Sequence, residues 1–224
     1  SAGGAAEQWS RWQCVRNRQT VAFVVGKFCT DVVWWVFLFW TPSYLNTQFG
    51  SKTSEGLCIA LIFTLYAITM LSLVGGKLPT VFMNRSGANP YAARMKAMLI
   101  FAFVPLVVLF AQPLGTYSPW YPVILIGLGC AAHQSWSANI YTTVSDMFPK
   151  RAIATVTGIG GMAVGISSML MQACAGNLFV YSDRVQLEFM GFVGKPAGYF
   201  IIFCICSVSY LVGWIIMKTL VPRY

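Results

Sequence analysis

The chain has 224 residues, 57% hydrophobic and only 9% charged, with a mean hydropathy of +0.66. A soluble domain averages roughly 25% charged residues, so too few charges are present to cover a water-facing surface. A soluble globular domain, a disordered tail and a disulfide-rich secreted module are all excluded, and the solvent implied is a lipid bilayer. Lys plus Arg number 15 against six Asp plus Glu, for a net charge of +9. In a soluble protein that balance would point to nucleic acid. Here the basic residues fall between apolar runs, where they mark the cytoplasmic side of a membrane protein, and no nucleic-acid partner is expected.

The chain opens Ser1-Ala2-Gly3-Gly4 without an initiator Met, as a processed, truncated or fragmentary chain would. A membrane-crossing helix needs about 20 apolar residues. The first predicted span is Val21 to Tyr44, apolar but carrying Lys27 and Asp31. Gly56 to Gly76, free of charge between Glu55 and Lys77, is the second. The charge-free interval Ala97 to Ser145 is too long for one helix and is broken by the turn-rich stretch from Gln112 to Pro119, giving a third and a fourth span joined by a short hairpin. Ala152 to Ser182 is the fifth and Pro196 to Met217 the sixth.

Arg11, Arg16, Arg18, Lys77, Arg85, Arg94, Lys96, Lys150, Arg151, Lys218 and Arg223 fall on one side of these six spans, and only Lys52, Arg184 and Lys195 on the other. The positive-inside rule puts both termini in the cytoplasm. An even number of spans requires the termini on one side, which agrees independently. Tyr117, Trp120 and Tyr121 cluster at the short outer turn, as an interfacial aromatic belt would.

Six of the seven cysteines lie inside apolar runs, Cys14 alone being in a polar segment, and no CxxC pair occurs. They read as small apolar filler, with no disulfide framework. The single histidine has no Cys or carboxylate spacing that would make a metal site. Paired carboxylates and a Ser/His dyad are also missing, so no enzyme and no catalytic residue is expected.

Ionisable residues within a bilayer are costly and commonly face a polar cavity or a partner. Lys27 and Asp31 lie four apart, on one face of the first span. At ~1.5 Å per residue from Thr20 they stand about 10 and 16 Å deep. Their function would be an ion or substrate pathway, with Lys27 as an anion-binding cation; the plainer alternative is a local ion pair that only lets the helix insert. Trp34, Trp35 and Leu38 continue that face. Trp rings can stack on the apolar face of a sugar or simply fill the core, and Trp40 and Tyr44 fit belt or packing roles better. The fourth span carries the run His133-Gln134-Ser135-Trp136-Ser137-Ala138-Asn139-Ile140-Tyr141, which a helix exposed to lipid all round is not expected to tolerate and which suits the wall of a wet cavity, with a satisfied packing histidine as the alternative for His133. In the fifth span Thr157, Gly161 and Gly165 form a small-residue stripe that reads as close helix packing, with a thin wall beside a substrate as the alternative.

These residues carry a resemblance. Gly26-Lys27-Phe28-Cys29-Thr30-Asp31-Val32-Val33-Trp34-Trp35, followed by Phe39-Trp40-Thr41-Pro42-Ser43-Tyr44-Leu45, resembles the seventh helix of sugar-acid symporters of the major facilitator superfamily, in the hexuronate group of the anion:cation symporter branch. Ala131-Ala132-His133-Gln134-Ser135-Trp136-Ser137-Ala138-Asn139 with Val144-Ser145-Asp146-Met147-Phe148-Pro149-Lys150-Arg151 resembles the tenth helix and its loop, and Gly158-Ile159-Gly160-Gly161-Met162-Ala163 the eleventh. Gly75-Gly76-Lys77-Leu78 through Arg85-Ser86-Gly87 is a degenerate form of the superfamily's loop motif, without its acidic residue.

The resemblance implies an all-α transmembrane six-helix bundle, a three-plus-three inverted repeat forming the C-terminal half of a twelve-helix fold. Residues 1–20 would be the remnant of the central cytoplasmic loop, 21–217 the bundle and 218–224 a cytoplasmic tail. The expected function is half of a secondary active transporter in a bacterial inner membrane, moving sugar acids by alternating access. No cofactor is implied beyond a coupling cation, usually a proton in the relatives, and the expected partners are the substrate, an N-terminal six-helix half and the bilayer. Lys27 would hold the substrate carboxylate, Asp31 would restrain Lys27, Trp34 and Trp35 would line the site with Trp35 against the sugar ring, and His133, Gln134, Ser135, Trp136 and Asn139 would bond its hydroxyls. The alternatives are a complete six-helix carrier working as a dimer and a non-transporting membrane scaffold or sensor.

Overall fold

The computed structural model describes residues 11–50, 54–87 and 89–223. Ser1 and its neighbours, and Lys52 of the expected outer loop, lie outside the described residues. A short helix α1 (Arg11–Arg16) leads into the long helix α2 (Arg18–Phe49). The side chain of Asn17 caps α2 by accepting from the Gln19 amide at 2.9 Å. At ~1.5 Å per residue α2 is about 48 Å long, so its ends pass beyond the hydrocarbon layer, which explains why the apolar run starting at Val21 underestimates it.

The second rod is broken: α3 (Glu55–Thr69), one turn α4 (Ser72–Gly75) and α5 (Leu78–Ser86). Ser54 caps α3, with Glu55 in its first turn, and left-handed Gly87 (φ 59°) ends α5. The segment after Lys77, expected as loop, is therefore partly helical. The third rod is α6 (Pro90–Phe103), a 3-10 stretch over Val104–Phe110 that begins where Pro105 interrupts the backbone ladder, and α7 (Ala111–Gly115). Then come α8 (Trp120–Met147), α9 (Lys150–Val185) and α10 (Lys195–Leu220). Between α9 and α10 lies a two-stranded hairpin, β1 (Glu188–Phe189) and β2 (Phe192–Val193), antiparallel with Phe189 opposite Phe192.

Among the described residues, five helical rods are long and apolar enough to cross a membrane: Arg18–Phe49, Glu55–Arg85, Pro90–Gly115, Lys150–Val185 and Lys195–Leu220. The expected fourth span, α8, has 28 residues and is long enough, but the His133–Asn139 polar run dilutes its hydropathy and takes it out of that set.

α2 packs against α8, α9 and α10, and α8 against α3 and α6, which makes α2 and α8 central. The most apolar windows of Glu55–Arg85 and Lys150–Val185 are only 11% and 17% buried, so both present broad apolar faces outward. At one end of the bundle Arg94 Nε donates to Asp146 Oδ2 at 2.6 Å, tying the start of α6 to the end of α8. Cys14, in the polar segment, is buried as fully as the span cysteines Cys130 and Cys206. The expected glycine stripe makes no close contact among the described residues: nothing there lies within 4 Å of a side chain built at Gly161 or Gly165. The close approach of α9 to α2 falls one residue away, at Gly160, where a Cβ would collide with the Phe23 ring.

Candidate functional site

Lys27 and Asp31 stand one turn apart on α2. The ammonium is fully buried and 2.7 Å from Asp31 Oδ2, an ion-pair distance, but not aligned as a hydrogen bond. Asp31 Oδ1 likewise has no hydrogen-bond partner among the described residues. On the side of α8, Lys27 Nζ sits over the ring of Tyr141, 3.7 Å from its centroid. A cation over a desolvated ring gains ~2 kcal/mol, which offsets only part of the several kcal/mol that removing an ion from water costs. Lys27 is thus held among groups that leave its donor capacity unused.

Two turns along α2, Trp34 stacks on the His133 imidazole, with centroids 5.3 Å apart and planes 17° from parallel. His133 Nδ1 lies 2.7 Å from the hydroxyl of Tyr210 on α10, and that hydroxyl is 3.4 Å from the carbonyl oxygen of Thr30 on α2. Three helices, α2, α8 and α10, therefore meet at one polar node inside the bundle.

The expected site residues divide. Lys27, Asp31, Trp34 and His133 come together. Trp35 is half-buried and stacks on Phe39 of its own helix, with centroids 5.5 Å apart. Gln134 is half-buried, one residue beyond His133. Ser135 Oγ donates to Ala131 O at 3.0 Å and Asn139 Nδ2 to Ser135 O at 2.8 Å, so both spend these donors on their own helix. Trp136 is fully buried with its ring edge-on to Tyr210, and its Nε1 finds no acceptor among the described residues. The two residues that sequence reasoning did not place in the site are Tyr141 and Tyr210. Tyr210 is ten residues from Leu220, the end of α10, hence ~15 Å deep, too deep for an interfacial tyrosine; that depth was the available signal.

The node is closed. A cavity of about 690 Å³ lies elsewhere, between Trp40 on α2, Gln172 and Asn177 on α9, and Lys195. There Trp40 Nε1 donates to Gln172 Oε1 at 2.5 Å. A second, apolar cavity of about 440 Å³ separates Phe28 and Val32 from Met171 and Ile205. Neither includes Lys27, Asp31 or His133. Lys27, Asp31, Trp34 and His133 meet in a polar contact between α2 and α8, with Trp34 and Gln134 half-buried. Among the described residues no group of three His, Cys, Asp or Glu side chains is placed to hold a metal ion.

An all-α bundle of long apolar rods with an ion pair and a histidine at its centre defines a multi-pass membrane protein. The chain belongs to the Major Facilitator Superfamily, which matches residues 1–172. It is similar to the hexuronate transporter of Escherichia coli strain K12, 28% identical over 176 residues, covering 77% of this chain and 39% of that protein. The hexuronate transporter of Escherichia coli O157:H7 matches to the same extent. The galacturonate transporter of Dickeya chrysanthemi is 28% identical over 91 residues, 41% of this chain and 26% of the relative. The chain thus spans about two fifths of the hexuronate transporters it matches. No solved structure matches it.

Proposed function

We propose that this chain is the C-terminal six-helix half of a secondary transporter that carries hexuronate-like sugar acids across a bacterial inner membrane. Transport proceeds by alternating access and is coupled to a cation, a proton on this reading, with both termini cytoplasmic. The observation that carries the proposal is the buried Lys27 ammonium, paired with Asp31 and capped by Tyr141 but short of hydrogen bonds. A dry ion pair of this kind adds little stability, whereas an ammonium with unused donors is suited to a carboxylate. The likeness to two hexuronate transporters and a galacturonate transporter supports the substrate class. The exposed apolar faces of Glu55–Arg85 and Lys150–Val185 are surfaces that an N-terminal half and lipid would cover.

On this reading the node admits substrate when the two halves rock apart. The substrate carboxylate replaces Asp31 as the main partner of Lys27, His133 and Gln134 bond hydroxyls, and the Trp34 and Trp35 rings line the sugar's apolar face. Ser135, Trp136 and Asn139 support α8 from behind and reach substrate only if that helix turns. The test is uptake of labelled galacturonate and glucuronate by the full-length protein in sealed vesicles under an imposed proton gradient. Uptake that unlabelled hexuronate suppresses, and the matching neutral hexose does not, is the expected result. No gradient-driven uptake, or equal suppression by the neutral sugar, would reject it.

A further inference from the structure

Tyr210 lies on α10, outside the polar run of α8 and the charged face of α2, yet its hydroxyl reaches both helices. That hydroxyl has one proton and two acceptors within range: His133 Nδ1 at 2.7 Å and Thr30 O at 3.4 Å. Good O–H donors sit about 2.5–3.0 Å from the acceptor. Donation to Thr30 would be long and weak, and that carbonyl already belongs to the α2 ladder. Donation to Nδ1 is short, and Tyr210 is fully buried, with its ring edge-on to His133 and to Trp136, so water does not compete for the bond. A neutral imidazole carries one proton, and a hydroxyl donating to Nδ1 forces that proton onto Nε2.

We infer that Tyr210 is a positioning residue that fixes the tautomer of His133, so that the imidazole presents an Nε2–H donor, not a lone pair, to the substrate. Nε2 makes no hydrogen bond among the described residues, and the Trp34 stack holds the ring plane. With the Lys27 ammonium on one side of the node and this N–H on the other, the site sets two unused donors beside the Asp31 carboxylate. The two donors suit a ligand that brings acceptor oxygens, such as a carboxylate with a neighbouring hydroxyl or ring oxygen. The inference rests on the proposed function for its substrate and on geometry alone for its tautomer.

The experiment uses full-length protein labelled with 15N-histidine, the His133 signals being identified by their loss in His133→Gln. The nitrogen spectrum at pH 8 is expected to show a protonated Nε2 and a bare Nδ1. In Tyr210→Phe the tautomers should mix or invert, and galacturonate affinity should fall about tenfold, the effect of one lost hydrogen bond. In the His133→Gln background Tyr210→Phe should cost nothing more, because its partner is already gone. A protonated Nδ1 in the parent protein, an unchanged tautomer in Tyr210→Phe, or an equal loss in the His133→Gln background would overturn the inference; the last outcome is what a purely packing role would give. If the parent protein binds no hexuronate, the proposed function fails, and the tautomer spectra still decide the role of Tyr210.

Discussion

Lys27→Gln in the full-length protein is expected to lower hexuronate uptake roughly 10- to 150-fold, the range set by one charge-assisted hydrogen bond worth about 1.5–3 kcal/mol. Gln keeps much of the length of the side chain and a donor, so the loss reports charge and not shape. The substitution also strands Asp31, 8% exposed, without the one ion-pair partner it has among the described residues, and a buried unpaired carboxylate costs several kcal/mol. Expression could fall for that reason alone. The double substitution Lys27→Gln with Asp31→Asn removes both charges and separates the two effects. It should restore membrane levels without restoring uptake. Recovery of uptake in the double variant would show that the pair only balances charge in the bilayer, the plainer of the two readings open from sequence.

Gly75→Val should be the most damaging substitution away from the polar node. Gly75 closes α4 where it presses on α8: a Cβ there would collide with Ser135 Oγ, come 2.9 Å from Ser135 Cβ and lie 3.2 Å from Phe101 Cε1. Ser135 Cβ is fixed to the α8 backbone, so the helices must separate, at a cost of about 1–3 kcal/mol or more. Thermal unfolding in detergent should begin several degrees lower. Gly76→Ala is the control, since its Cβ would meet only Ser72 O at 3.7 Å, an ordinary contact. Equal melting of the two variants would mean that α4 and α8 do not touch as described. The result also gives a physical meaning to Gly75-Gly76 in the loop motif: the first glycine is required by a neighbouring helix, while the second has room.

Hydropathy and charge were enough to place the long rods, because lipid leaves few alternatives to an apolar helix. Where they missed, the cause was local. The ends of α2 and α9 run past the apolar stretches because amphipathic and charged residues such as Arg18 and Arg184 continue a helix into the interface. α5 escaped notice because Leu78–Ser86 is too short and polar to be read as a span. The glycine stripe of α9 was legible as small residues but not as to which side they face; contact with α2 falls on Gly160, leaving Gly161 and Gly165 open.

The polar node was legible by halves. Lys27, Asp31 and His133 stand out because each is expensive in lipid. That Trp34 joins His133 follows only from the way α2 and α8 cross. The roles of Tyr141 and Tyr210 depend on tertiary geometry that no spacing encodes, although the depth of Tyr210 was a clue. Ser135 and Asn139 illustrate the reverse case: polar side chains in a membrane helix can satisfy themselves on the carbonyls one turn back, so the polar run of α8 overstates how much of it faces a cavity.

The central claim is a direct contact between the Lys27 ammonium and the carboxylate of the sugar acid. Dipolar-coupling NMR between 15Nζ-lysine in the full-length protein and galacturonate labelled with 13C at its carboxylate measures that distance. A coupling corresponding to about 4 Å or less, the reach of an ion pair, present in the parent protein and gone in Lys27→Gln, is the predicted result. Bound galacturonate whose carboxylate couples to no lysine, or whose coupling survives the loss of Lys27, would contradict it.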